Sequence, residues 1–153
     1  MNANNTSDRE IIAERVFDAH RELVWKVWTD PNHIAHWWGP NGFTNTIQNM
    51  DVKQGGIWKF VMHGPDGVDY NNEIQYLEVI PPEKLVYKHG SGGDDHPGFH
   101  VTVLFQEDGK KTKLSMQLLF RTAEEKNEIV ERSGAVDGLS QTLEKLRGYL
   151  ANL

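Results

Sequence analysis

The chain has 153 residues, 38% hydrophobic and 25% charged, enough for one domain with a sizeable core and too apolar for a disordered tail. The absence of cysteine excludes disulfide scaffolds, thiolate metal sites and cysteine nucleophiles. A net charge of -6 with both signs interspersed speaks against a nucleic-acid partner. No apolar run approaches the ~18 residues of a membrane span, and Met1–Glu10 lacks the apolar core of a signal peptide, so a cytoplasmic protein is expected.

Residues 1–8 are polar and expected to fray, leaving residues 9–153 as a single domain. Arg9–Ala19 reads as a first strand, with Ile11, Ala13, Arg15 and Phe17 on one face. From His20 the period becomes helical, through Leu23, Val24, Val27 and Trp28. Asp30 then caps a second short helix that starts at Pro31 and ends before Gly39-Pro40.

From Phe43 to Phe120, Gly, Pro, Asn and Asp clusters cut the chain at strand-length intervals, predicting about six antiparallel strands. One face gathers Trp58, Phe60 and Met62; Leu85, Tyr87 and His89; Phe99, Val101, Val103 and Phe105; then Leu114, Met116 and Leu118. Thr122 caps a helix over Ala123–Glu131, with Glu125 placed to complete a capping box. After Ser133-Gly134, the residues Val136, Leu139, Leu143, Leu146 and Leu150 recur at helical spacing. The fold class predicted is α+β: a curved antiparallel sheet of about seven strands wrapped around a long C-terminal helix, with two short helices after the first strand. Such a wrap leaves a volume that side chains fill or a ligand enters.

The words Trp28-Thr29-Asp30-Pro31, Trp37-Trp38-Gly39-Pro40 and Pro81-Pro82-Glu83-Lys84-Leu85 carry a family resemblance, together with Gly55-Gly56 and the Leu143–Leu150 tail. In this order, over Glu10 to Leu150, the chain resembles the SRPBCC or START-like superfamily, the helix-grip (Bet v 1-like) fold. It is most similar to the branch named after the activator of the heat-shock protein 90 ATPase. The resemblance implies a hydrophobic cavity between sheet and C-terminal helix and no single activity, because the superfamily includes carriers, receptors, cyclases and co-chaperone domains. His20 stands where the branch commonly has proline, and Leu139 where many members carry a tryptophan, so that tryptophan's ligand contact is not carried over.

The expected occupant is a small apolar or aromatic molecule. Its walls are expected from Trp37, Trp38, Phe60, Met62, Tyr87, His89, Val101, Val103, Met116, Leu139 and Leu143. Trp25 and Trp28, three apart on a helix, read as core; Trp37 and Trp38 are adjacent, so one can plug the core while the other lines the mouth. Which of the pairs Glu73/Gln75 and Ile74/Tyr76 faces the cavity is open from the sequence. If Glu73 points inward near His89 or His100, a general acid–base pair becomes available to a cyclase- or hydrolase-type enzyme; these are the weak catalytic candidates. His63 breaks parity with its strand and is read as outward or terminal. A metal drawn from His89, His96, His100, Asp94 and Asp95 is considered, but a solvated loop is the better reading, and no metal or cofactor is expected. The branch name raises a chaperone partner, but the co-chaperone pattern carries an additional N-terminal domain that Met1–Asp8 does not supply, so this partner is not expected. Exposed apolar patches leave a homodimer open.

Overall fold

Turn chemistry and alternating side chains set the elements. The computed structural model describes residues 7–90 and 98–153, with Arg132, Ser133 and Ala135 described by backbone alone. Most of the stretch expected to fray lies outside these residues; Ser7 and Asp8 form a turn ahead of the first strand. Strand β1 (Glu10–Phe17) leads into helices α1 (Arg21–Thr29) and α2 (Pro31–Ile34). The meander follows as β2 (Thr44–Met50), β3 (Ile57–His63), β4 (Asp69–Ile80), β5 (Lys84–His89), β6 (Phe99–Asp108) and β7 (Lys111–Leu119). Helices α3 (Ala123–Ser133) and α4 (Ala135–Ala151) end the chain.

The strands form one seven-stranded sheet in the order β1-β7-β6-β5-β4-β3-β2, with every pairing antiparallel. Only β1 is out of sequence: it crosses to pair with β7, Glu10 facing Leu119 and Phe17 facing Thr112. Register shifts between Ile47 and Asn49 in β2 and between Tyr76 and Glu78 in β4 mark bulges. Bulges bend a strand and increase its twist, which is what a sheet needs to curve.

The concave face holds the core. Trp58, Phe60, Ile74, Tyr76, Leu85, Tyr87, Val101, Val103, Phe105, Leu114, Met116 and Leu118 are buried there, and Leu143 and Leu146 of α4 join them. Val136, expected at the head of the α4 stripe, is instead 49% exposed. In β1 the face of Ala13, Arg15 and Phe17 turns inward, while Ile12 and Val16 are exposed. Arg15 reaches α4 through Ser140 Oγ at 3.3 Å, and the Arg147 guanidinium lies 5.2 Å from the Phe17 ring centroid.

The helix ends follow their capping residues. Asp30 accepts from the Asn32 N–H at 2.9 Å, and Thr122 accepts from the Glu125 N–H at 3.1 Å. Of the expected capping box this first half forms; the carboxylate of Glu125 pairs with Arg121 instead. Gly134 separates α3 from α4 with φ +62, the left-handed conformation that favours glycine at a helix end. Among the described residues no helix is long and apolar enough to cross a membrane.

Candidate functional site

Between the concave sheet and α4 lies a cavity of about 730 Å³, partly open to solvent. The sheet contributes Met62, Tyr70, Asn72, Tyr87, His89, Phe99, Val101, Met116 and Leu118. Helix α4 contributes Gly138, Leu139, Thr142 and Leu143, and α3 contributes Ile129. Trp28 of α1, with Trp38, Gly39, Pro40 and Phe43 of the connection to β2, completes the wall.

That connection docks on α4. Gly138 lies so near Pro40 that a Cβ there would be 3.3 Å from Pro40 Cγ. The backbone N–H of Asn41 donates to Gln141 Oε1 at 3.1 Å, and Lys145 Nζ donates to Gly39 O at 3.1 Å. On the other side, Asn45 Nδ2 donates to the carbonyls of Ala35 and Trp38, tying the same segment to β2.

Of the residues expected to form the wall, Trp38, Met62, Tyr87, His89, Val101, Met116, Leu139 and Leu143 line this cavity. Trp37, Phe60 and Val103 do not. Trp37 is fully buried in the core, its indole N–H donating to Val27 O at 3.2 Å and its ring packed edge-on against Trp28. Phe60 points to the concave side but is covered by rings, Trp58 at 4.5 Å and Trp38 at 6.3 Å between centroids. Val103, between Leu85 and Met116 in the ladder, has no exposed surface. Trp28, read from the sequence as core alone, is both buried and part of the wall. The sequence reading missed Asn72 and Tyr70; the parity that turns Ile74 and Tyr76 inward brings them along.

The acid–base candidates do not converge. In β4 it is Ile74 and Tyr76 that are buried, so Glu73 faces the outer side, where its carboxylate sits 3.6 Å from Lys59 Nζ. His100 is exposed opposite Lys88, one residue out of phase with the inward Phe99 and Val101. His89 alone faces the cavity. Its Nε2 lies 3.0 Å from Asn72 Oδ1, while the Asn72 amide nitrogen donates to Tyr70 O at 3.1 Å. A carbonyl can only accept, so the amide nitrogen must face it and the amide oxygen must face the imidazole. His89 therefore carries its proton on Nε2 and leaves a lone pair on Nδ1. Burial pushes its pKa down to about 4, so the ring is neutral around pH 7. Burial likewise raises the phenols of Tyr76 and Tyr87 above their ordinary value, so both keep their protons.

Of the metal candidates, Asp94, Asp95 and His96 lie outside the described residues, and His89 and His100 point to opposite faces. Among the described residues no cluster of three or more His, Cys, Asp or Glu could hold a metal ion. His63, at the end of β3, sits on the outer side between Thr46 Oγ1 and Asp69 Oδ1, each at 2.7 Å. This hydroxyl–imidazole–carboxylate chain is exposed and stitches the edge strand β2 to β3 and β4.

A sheet curved around a C-terminal helix, with short helices closing one end and a cavity between, defines the helix-grip fold of the SRPBCC, START-like class. The family described as "Activator of Hsp90 ATPase homolog 1-like protein" matches residues 18–151, and the chain belongs to that family. Solved structures share the fold at low identity. An Arthrobacter aurescens protein matches at 22% identity with a TM-score of 0.88, covering 98% of this chain and 90% of that one. A Rhodobacter sphaeroides protein matches at 23% identity and a TM-score of 0.85, covering 98% and 97%. A Nitrosomonas europaea protein matches at 21% identity and a TM-score of 0.83, covering 99% and 97%. No curated protein matches the chain in sequence.

Proposed function

We propose that this protein binds a small apolar or aromatic molecule between the sheet and α4. The observation that carries the reading is the cavity of about 730 Å³ with a wall of mainly aromatic and aliphatic side chains. At roughly 24 cal/mol per Å³, holding that volume dry and empty would cost on the order of 18 kcal/mol, more than the stability of an ordinary domain. Water or a ligand must fill it, and water gains little against Met62, Phe99, Val101, Leu118 and Leu139. The outward positions of Glu73 and His100 favour binding over acid–base catalysis as the role of the site.

Native mass spectrometry before and after denaturation tests for a carried ligand, expected as a small-molecule mass lost on unfolding. Direct titration with naphthalene, read at methionine methyl groups by NMR, provides the decisive test. Met62 and Met116 line the cavity and should shift saturably, while Met50 does not line it and should stay in place. If neither naphthalene nor any other apolar probe moves Met62 and Met116, the reading is wrong.

A further inference from the structure

Resting on the ligand reading above, we infer that the cavity selects neutral hydroxylated aromatic molecules, whose hydroxyl donates a hydrogen bond to His89 Nδ1. The geometry fixes the sense of that bond. Asn72 Oδ1 takes the Nε2 proton of His89, and the Asn72 amide is itself oriented by Tyr70 O. Among the described residues Nδ1 has no hydrogen-bond partner, although the ring lines the cavity. An imidazole nitrogen without its proton accepts and cannot donate. A ligand carrying only acceptors leaves this lone pair unpaired, and burying an unpaired acceptor is unfavourable.

Tyr87 offers the complementary group. Its hydroxyl also has no hydrogen-bond partner among the described residues, it lines the cavity, and its raised pKa keeps it a donor. A hydroxylated ligand with a second oxygen can satisfy both positions.

Charge narrows the class further. Among the described residues no Asp, Glu, Lys or Arg lines the cavity. The ammonium of Lys145, behind the wall, is directed at Gly39 O and Pro40 O. A carboxylate or phenolate entering the cavity would lose its hydration with no cation among the described wall residues to replace it, so the neutral form is the one taken up.

The test compares naphthalene, 1-naphthol, 1-methoxynaphthalene and 1-naphthoate on the intact protein, with the Met62 and Met116 methyl shifts reporting occupancy. We expect 1-naphthol to bind roughly tenfold or more tighter than 1-methoxynaphthalene, which accepts but does not donate. Occupancy by 1-naphthoate should be weaker still. Long-range ¹⁵N spectra of His89 should show a protonated Nε2 in the free protein and a shift at Nδ1 on adding 1-naphthol. In His89→Leu the preference for naphthol over the methyl ether should vanish while naphthalene still binds. The spectra of the unsubstituted protein keep the test valid should that variant fold poorly. Equal binding of all four probes, or a proton found on Nδ1, overturns this inference and leaves the apolar cavity intact. If none of the four shifts the methyl groups, the ligand reading falls and this inference falls with it.

Discussion

Lys145 Nζ donates to the carbonyl of Gly39 at 3.1 Å, holding the Trp38–Phe43 connection against the C-terminal helix where both border the cavity. Burial lowers the Lys145 pKa, yet the ammonium has carbonyl partners at both Gly39 and Pro40. Lys145 itself does not line the cavity, so the bond bears on how firmly the wall is held and not on what the ligand touches. Lys145→Met keeps the aliphatic stem and removes the donor. It should lower stability by about 1 kcal/mol, and amide exchange at residues 41–43 should quicken more than exchange in β6. Unchanged exchange at that segment would show that the docking does not depend on Lys145.

Two glycines of α4 provide an internal comparison. A Cβ on Gly148 would meet nothing within 4 Å, whereas one on Gly138 would press on Pro40 at 3.3 Å. Gly148→Ala should therefore stabilise by the helix-propensity difference, about 0.5–1 kcal/mol in urea unfolding. Gly138→Ala makes the same propensity gain against a crowded loop, and its net gain should be smaller. Equal gains would mean that the loop gives way without resistance.

Gly56 tolerates no side chain. A Cβ there would stand 2.0 Å from the backbone oxygen of Asp51, and the Gly56 carbonyl accepts from Tyr76 N in the bend before β3. Gly56→Ala should cost about 3 kcal/mol or more, because backbone and not a flexible side-chain tip must move. Chemical denaturation decides it, with Gly148→Ala as the comparison, where the added Cβ meets nothing and the backbone is helical.

His89 should leave a pH signature. Its pKa is about 4 in the folded chain against 6.5 for an unperturbed imidazole. Above pH 6.5 it is neutral in both states and adds no slope. Between about pH 6.5 and 4 the unfolded chain binds a proton that the native state does not, so stability falls as pH falls, by about 3 kcal/mol in all, and levels below pH 4. The difference between the unsubstituted protein and His89→Gln isolates this contribution from the carboxylates. Parallel curves over that window would contradict a buried, neutral His89.

Leu139 lies on the α4 wall, so Leu139→Trp adds bulk directly into the cavity. Binding of naphthalene should weaken at least tenfold, with thermal stability kept or raised as the indole replaces solvent-filled space. Unaltered binding would remove α4 from the site.

The sequence by itself determined the elements and their order, because turn residues, caps and side-chain periods act over a few neighbours. Asp30 and Thr122 cap the helices that their positions predict, and the inward faces of β5, β6 and β7 follow from strict alternation. Pairs that are locally equivalent were decided only by the tertiary structure. Glu73/Gln75 and Ile74/Tyr76 alternate equally well on paper; the choice is made by pairing Ile74 with Trp58 and His89 across three strands, which buries Tyr76 and turns Glu73 to Lys59. Trp37 and Trp38 are neighbours, and it is the packing of α2 against α1 that sends the first to Val27 O and the second to the cavity. Phe60 and Val103 have the right parity and still miss the wall, because whether an inward side chain touches a cavity depends on which rings and branches lie over it. Asn72 escaped notice because a polar residue in a strand reads as outward; only the register that sets it beside His89 fixes the imidazole tautomer. Parity is a property of one strand, whereas occlusion and hydrogen-bond direction belong to the packed assembly of all of them.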